Sequence, residues 1–342
     1  MDDKKTGIKQ NLTNYGDLGF STFLRKSFIK GLGYSDEMLD KPIVGIINTF
    51  SDYNSCHGNV PDLIQSVRAG ILAKGAIPLE FPTISVHEAF SYPTSMYLRN
   101  LMAMDTEEMI RAQPMDSCVL IGGCDKTVPA QLMGALSVDM PVIQLVTGPM
   151  LTGSHRGERV GACTDCRRLW AKFRADEIDE AEINEANNQL VPTVGTCGVM
   201  GTASTMAMIA ETLGMMPPDS SCAPAVSSER RRISEKTGQI AVDIAIHKRR
   251  PSSILTAKSF ENALMVLLAI GGSTNALIHL AAIAGRMGIK LDMESFDALS
   301  RTIPVIVDLK PSGEGYMEDL YKAGGLPRIL LELKDKLHLD VS

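Results

Sequence analysis

Hydrophobic positions along this chain change period repeatedly. Short apolar runs occur at residues 42–48, within 77–86, at 118–121 and at 141–146, each bounded by glycine, proline or polar residues. Runs of that length between breakers predict buried strands. Between the first two lies a helical pattern over residues 60–74, with Leu63, Val67, Ile71 and Leu72 on one stripe. A helix is expected to start at Asp105 and run to Ala112, with Asp105, Glu107 and Glu108 in its first turn, where acids suit the macrodipole. Another is expected over 130–137, with Thr127 as cap and Pro129 in the first turn. This alternation predicts an α/β fold, a three-layer sandwich with a mainly parallel sheet flanked by helices.

The rest of the pattern is helical or irregular. Residues up to about 16 are polar, so 1–20 are expected to form a loose N-terminal segment and 21–342 the folded domain. A short helix with a basic face (Arg25, Lys26, Lys30) is predicted over 21–32. Residues 152–167 are rich in glycine and arginine and read as a long loop over a site. Residues 169–188 read as a charged, solvated helical stretch, and 204–213, 227–248, 259–270 and 276–287 as further helices. Gly271-Gly272-Ser273-Thr274-Asn275 breaks the last two apart. That break suits either backbone N–H groups aimed at an anion or plain punctuation with Ser273 as cap. Residues 303–307 predict the last strand, and 316–337 a helical tail broken at Gly324-Gly325.

Composition narrows the function classes. With 342 residues and 44% hydrophobic positions the chain can bury one large core or two ordinary ones. A net charge of −6 without a basic block argues against nucleic acid as a partner. No apolar run approaches membrane-spanning length, and no apolar stretch follows Met1-Asp2-Asp3-Lys4-Lys5 as a signal peptide would need. Seven cysteines, an odd count, do not suggest a disulfide framework, and a reducing cytoplasm fits them best.

Three of those cysteines stand in loops that open helices. Cys124-Asp125-Lys126 follows the strand at 118–121, Cys56 lies in Asn54-Ser55-Cys56-His57-Gly58-Asn59 after the first strand, and Cys197 lies in Gly195-Thr196-Cys197-Gly198. Three soft ligands meeting at one sheet edge suit an iron–sulfur cluster or zinc, and leave an open metal position of the kind Lewis-acid catalysis needs. The plain alternative for Cys-Asp-Lys by itself is a tight turn with a buried thiol and a surface ion pair. Glu88 adds a carboxylate on the loop after the second strand. His57 and His87 adjoin these loops, within reach of a bound substrate. Cys163-x-x-Cys166 has the form of a redox or zinc half-site, but no second pair accompanies it, and it reads as a loop feature. Cys118 reads as buried and inert, Cys222 has no metal-like neighbour, and His247, His279 and His338 read as structural.

Residues 123–129, 195–203 and 271–276 together resemble the dihydroxy-acid and phosphogluconate dehydratase family, and the resemblance runs from about 23 to 334. Ser55-Cys56-His57-Gly58-Asn59 and residues 156–167 look more like its sugar-acid branch, the arabinonate and xylonate dehydratases. The resemblance implies a hydro-lyase that dehydrates a 2,3-dihydroxy acid to a 2-keto-3-deoxy acid. It implies a [2Fe–2S] cluster held by Cys56, Cys124 and Cys197, and Mg²⁺ held by Glu88, Asp125 and a carbamylated Lys126, with Asp125 and Lys126 in the catalytic set. It further implies a homo-oligomeric full-length enzyme whose β-rich C-terminal domain carries the proton-abstracting serine. The sequence stops at Ser342, so it is expected to be the N-terminal, cofactor-carrying part, inactive or nearly so by itself. His155, Arg156 and Arg159 would face either a sugar-acid carboxylate or solvent. A branched-chain dihydroxy acid is the alternative substrate. A non-catalytic cluster or thiol redox module using Cys163 and Cys166 is the alternative function, against which the hard-ligand set Glu88, Asp125 and Lys126 argues.

Overall fold

The computed structural model describes residues 6–341 apart from Thr13. Its elements run in the order α1 (Leu18–Lys30), α2 (Asp36–Leu39), β1 (Ile43–Asn48), α3 (Val60–Ala73), β2 (Ile77–Pro82), α4 (Arg99–Ala112), β3 (Ser117–Gly122), α5 (Thr127–Val138) and β4 (Val142–Val146). There follow a hairpin, β5 (Gly153–His155) and β6 (Glu158–Val160), then α6 (Thr164–Arg174), α7 (Glu180–Leu190), α8 (Thr202–Thr212) and α9 (Ser228–His247). The chain continues with α10 (Ala257–Ala269), α11 (Asn275–Arg286), α12 (Met293–Ser300), α13 (Met317–Lys322) and α14 (Gly325–Glu332).

β1 to β4 form one sheet in the order β2-β1-β3-β4, every pair parallel. Side chains alternate across it with period two. Ile43, Ile47, Cys118 and Leu120 join the core shared with α4, α5, α8, α10 and α11. Val44, Ile46, Val119 and Ile121 join the core shared with α3 and α9. The predicted three-layer α/β sandwich is therefore the observed architecture. α3 and α9 cross at two glycines: a methyl group on Gly70 would lie 2.0 Å from the Glu235 carbonyl oxygen, and one on Gly238 2.3 Å from that of Val67. Close backbone approach explains why glycine stands at both positions.

Several local expectations need correction. The described part of the segment expected to be loose is docked: Ile8 is buried, and Asp116 accepts hydrogen bonds from Gly7 N and Gln10 Nε2 as well as from Ile43 N. Residues 1–5 and 13 lie outside the described residues. α4 begins at Arg99, six residues before the expected start, running on directly from the 3-10 turn Ser95–Leu98 that Thr94 caps. Asp105 accordingly sits in mid-helix and accepts from Ile84 N at 2.8 Å. Thr127 lies inside α5 rather than capping it, and its hydroxyl has no partner. The expected loop 152–167 contains the β5–β6 hairpin and the first turn of α6, and the charged helical stretch 169–188 falls in two helices, α6 and α7. Residues 303–307 form no strand. Pro304 lacks a donor, no described strand lies beside them, and Ile306 N instead bonds to Ala269 O at the end of α10.

Candidate functional site

The connections from β1 to β2 and from β3 to β4 run in opposite directions across the sheet. β1 and β3 therefore flank the topological switch point, where the carboxyl ends of strands leave a crevice. Cys56 stands in a 3-10 turn (Ser55–His57) after β1, and Cys124 in the loop after β3. Cys124 lies close enough across this crevice to push the Cys56 thiol's pKa well up, with burial adding to the shift. Both are buried.

His57 holds the two loops together. Its ring is fully buried, and Nε2 accepts from Gly123 N at 3.0 Å and Cys124 N at 3.1 Å. Two backbone donors on Nε2 place the ring proton on Nδ1, which donates to Thr49 O at 2.9 Å. Burial pushes its pKa down to about 4, so the ring is neutral at neutral pH. Both nitrogens are thus engaged within the protein, and the expectation that His57 would bond a substrate oxygen does not hold. Gly123 is required beside it, since a Cβ there would lie 1.8 Å from Thr147 Oγ1.

Cys197 does not follow a strand of the sheet, yet its loop is stitched to the same edge. Thr196 bridges to Pro149 just beyond β4, Thr196 N donates to Gly148 O, and Gly195 N donates to Ser55 O in the Cys56 turn. Cys124 is close enough to act on the ionisation of Cys197, and Cys197 on that of Cys56. The Sγ atom of Cys197 stands 3.0 Å from that of Cys163. Cys163 is exposed, caps α6 with a φ of 75°, and is held below its ordinary pKa by the Cys197 thiol donating to it, while Cys197 is pushed well up. Cys166 thus lies in the first turn of a helix, not in a loop.

Glu88 lies in a short 3-10 turn (Glu88–Phe90) beyond β2. Burial opposes its charge, but the Ser95 and Thr94 hydroxyls, Lys126 and Ser95 N together carry its pKa down to about 2. Lys126, almost wholly buried, places Nζ 2.6 Å from Asp125 Oδ2 and 3.4 Å from Glu88 Oε2. The ammonium occupies the position between two carboxylates that a bound cation would take. Half-buried His87 stands beside this set, its Nδ1 accepting from Ala89 N.

The loops that carry Cys56, Cys124, Cys197, Glu88, Asp125 and Lys126 thus meet at one edge. As the side chains stand, no three His, Cys, Asp or Glu among the described residues are placed to hold a metal ion. The fit of metals rests on donor chemistry: three thiols suit iron, while two carboxylates flanking a buried cation suit a hard divalent ion. Of the residues expected to face either a sugar-acid carboxylate or solvent, His155 is buried and Arg156 and Arg159 are about half exposed. His155 and Arg156 pair with Glu182 and Glu185, and Arg159 pairs with Asp319. The Gly271–Asn275 break offers little to an anion, since Gly271, Gly272, Ser273 and Asn275 N–H groups bond to Leu268, Leu267, Thr205 and Ser273. The residues that position Glu88 and the approach of Cys163 to Cys197 were not read from the sequence.

A family model described as dihydroxy-acid/6-phosphogluconate dehydratase N-terminal matches residues 41–342. The chain belongs to that family. It is similar to an L-arabinonate dehydratase of Rhizobium leguminosarum bv. trifolii, 45% identical over 95% of this chain and 57% of that protein. A 6-deoxy-6-sulfo-D-gluconate dehydratase of Pseudomonas putida is 42% identical over 89% of this chain and 53% of its own length. A dihydroxy-acid dehydratase of Natronomonas pharaonis is 37% identical over 91% and 53%. The chain therefore spans a little over half the length of the curated relatives it matches. No helix among the described residues is long and apolar enough to cross a membrane.

Proposed function

We propose that this chain is the cofactor-carrying part of a hydro-lyase that dehydrates a 2,3-dihydroxy sugar acid to a 2-keto-3-deoxy acid. The observation that carries this reading is the meeting of two chemically distinct donor sets at the sheet's switch point. Cys56, Cys124 and Cys197 would hold a [2Fe–2S] cluster, and Glu88, Asp125 and carbamylated Lys126 would hold Mg²⁺. When bound, such groups supply Lewis acidity, easing departure of the C3 hydroxyl and stabilising negative charge that develops at C2. Glu88, pinned by Ser95 and Thr94, presents a carboxylate ionised at any physiological pH. Asp125 and Glu88 also keep Lys126 at the site. Addition of CO₂ to its nitrogen, once deprotonated, would turn this cation into an oxygen donor. Neutral His57 keeps the Cys124 loop in place without taking part in proton transfer.

The higher identity to the arabinonate and sulfogluconate enzymes than to the dihydroxy-acid enzyme supports a sugar acid over a branched-chain one. The hard-ligand set speaks against a pure redox module, which has no use for it. Seven free cysteines suit the cytoplasm, and we assign the turnover itself to the whole, oligomeric protein, with proton abstraction by its C-terminal domain.

The test is anaerobic reconstitution followed by absorption spectra and assays of iron, sulfide and magnesium. Cys56→Ser, Cys124→Ser and Cys197→Ser should each lose the cluster chromophore, while Cys118→Ser keeps it. Lys126→Ala should weaken Mg²⁺ binding and leave the chromophore. Unmodified Lys126 in bicarbonate-treated, magnesium-loaded protein would refute the carbamate. Supplied with the remainder of the relatives' length, the chain should release keto acid from arabinonate faster than from dihydroxyisovalerate; the reverse preference would overturn the sugar-acid assignment.

A further inference from the structure

Cys163 is the one thiol at the site to which the metal-binding reading gives no part. It is exposed, whereas Cys56 and Cys124 are buried, and its Sγ lies 3.0 Å from that of Cys197. Its backbone has a φ of 75° and a ψ of −69°, a γ-turn geometry that is rare and strained for a residue other than glycine. Strain of this kind persists only where the surroundings enforce it, and they do so here. Two residues on, buried Asp165 accepts from Tyr316 Oη at 2.7 Å, from Lys310 Nζ at 3.0 Å and from Gly161 N at 2.9 Å. On the other side, Met317 N donates to Gly198 O and Met200 N to Lys310 O, so the same 310–317 segment clamps the Cys197 loop. One anchor therefore sets both thiols against each other. Reaching the about 2.05 Å of a disulfide would move each sulfur by only about half an ångström.

We infer that Cys163 and Cys197 form a reversible disulfide in the cluster-free chain, a modification site that withdraws Cys197 from metal binding under oxidation. The oxidant is a peroxide. The Cys163 thiolate attacks the O–O bond, giving a sulfenic acid on Cys163 and releasing hydroxide, which leaves as water. The Cys197 sulfur then displaces the sulfenic oxygen as a second water, and the S–S bond forms. Two thiols lose two electrons, and one peroxide is reduced to two waters. An external dithiol reverses the step by exchange. The disulfide would store Cys197 against irreversible oxidation when iron is absent.

The consequence for cluster loading rests on the proposed assignment of Cys197 as a cluster ligand; the pairing of the thiols does not. The test uses the whole chain, freed of iron by chelation under anaerobic conditions and given one equivalent of hydrogen peroxide. Remaining thiols are alkylated and the disulfide is mapped by peptide mass spectrometry. The expected result is the loss of two alkylatable thiols and a Cys163–Cys197 peptide pair, reversed by dithiothreitol. Cys163→Ser should leave Cys197 unpaired at the same dose, as free thiol or sulfenic acid, and over-oxidised only when further equivalents are added. Cys166→Ser should still form the pair. A Cys163–Cys166 or Cys56–Cys124 linkage in the unaltered chain would overturn the inference. In parallel, oxidised chain should take up no cluster until reduced, while untreated Cys163→Ser should load like the unaltered chain. If untreated chain takes up no iron at all, the cluster reading falls while the mapped disulfide stands; if the disulfide is absent but loading succeeds, the reverse holds.

Discussion

Two regions bring reactive groups to the same place by different means. In the first, parallel strands deliver Cys56, Cys124 and Glu88 from their carboxyl ends, and buried main-chain bonds to His57 lock the loops. In the second, the β5–β6 hairpin, α6 and α7 share only a small apolar cluster around Val160, Leu169, Ile183, Ala186 and Leu190. Cys163 is placed there by the polar anchor of Asp165, Tyr316 and Lys310, and Arg156 and Arg168 add ion pairs at the surface. A sheet edge positions groups by a framework buried throughout. A peripheral unit positions them by a few polar contacts over a small apolar cluster. The first should therefore be the more costly to disturb.

The largest effect should come from His57. Replacing it by alanine leaves the Gly123 and Cys124 N–H groups buried without an acceptor, and each orphan costs about 1–3 kcal/mol. Urea unfolding of His57→Ala should show a loss within the sum of those two, and a loss comparable to a surface substitution would break the comparison. The same residue predicts a pH dependence. Its folded pKa of about 4 lies below the ordinary 6.5, so the folded state binds fewer protons. Its stabilisation is fully present above 6.5 and is lost as pH falls through about 4. Over that window the change is about 3 kcal/mol, and that part of the slope should be missing in a His57→Phe chain that folds, leaving the part due to His279, whose pKa burial likewise pushes down to about 3. Glu88 adds a smaller loss of the same sign, beginning below 4.5 and continuing toward 2.

Gly70→Ala comes next. The added methyl meets the Glu235 carbonyl across the α3–α9 contact, and overpacking of this kind costs about 1–3 kcal/mol. It should lower the unfolding midpoint without changing the site's spectroscopic behaviour. In the peripheral unit, Tyr316→Phe removes the hydroxyl that serves Asp165 and Arg159 O. Because Lys310 and Gly161 still serve Asp165, the loss should be about 1 kcal/mol, together with slower Cys163–Cys197 pairing. Smallest of all, Arg156→Ala removes exposed ion pairs to Glu182 and Glu185 and should leave the unfolding midpoint unchanged within error. A large shift there would mean that the unit is held by surface charge instead of by its polar anchor.

The parallel sheet was legible because buried strands leave continuous apolar runs, and because the loops after 43–48 and 117–122 carry Cys56 and Cys124 immediately beyond the run. Helix starts were less legible. The turn that leads into α4 is capped by Thr94, and the Thr94 and Ser95 hydroxyls also serve the Glu88 carboxylate, a pairing that the order of residues does not announce. The strand expected at 303–307 failed because apolar content alone cannot tell a strand from a segment lying across helix ends.

What the sequence determined by itself was the class of layers, the three cysteine-bearing loops and, through its motifs, the family. Local periodicity and residue chemistry carry that much, since they depend on neighbours within a few positions. Tertiary structure decided the rest. It placed His57 as a lock and not a reagent, through contacts 66 and 67 residues away. It turned His155 and Arg156 toward glutamates, and it set Cys163 against Cys197 across 34 residues. Those outcomes depend on which loops meet in space, and long-range meetings follow from the packing of the whole core, which no local pattern encodes.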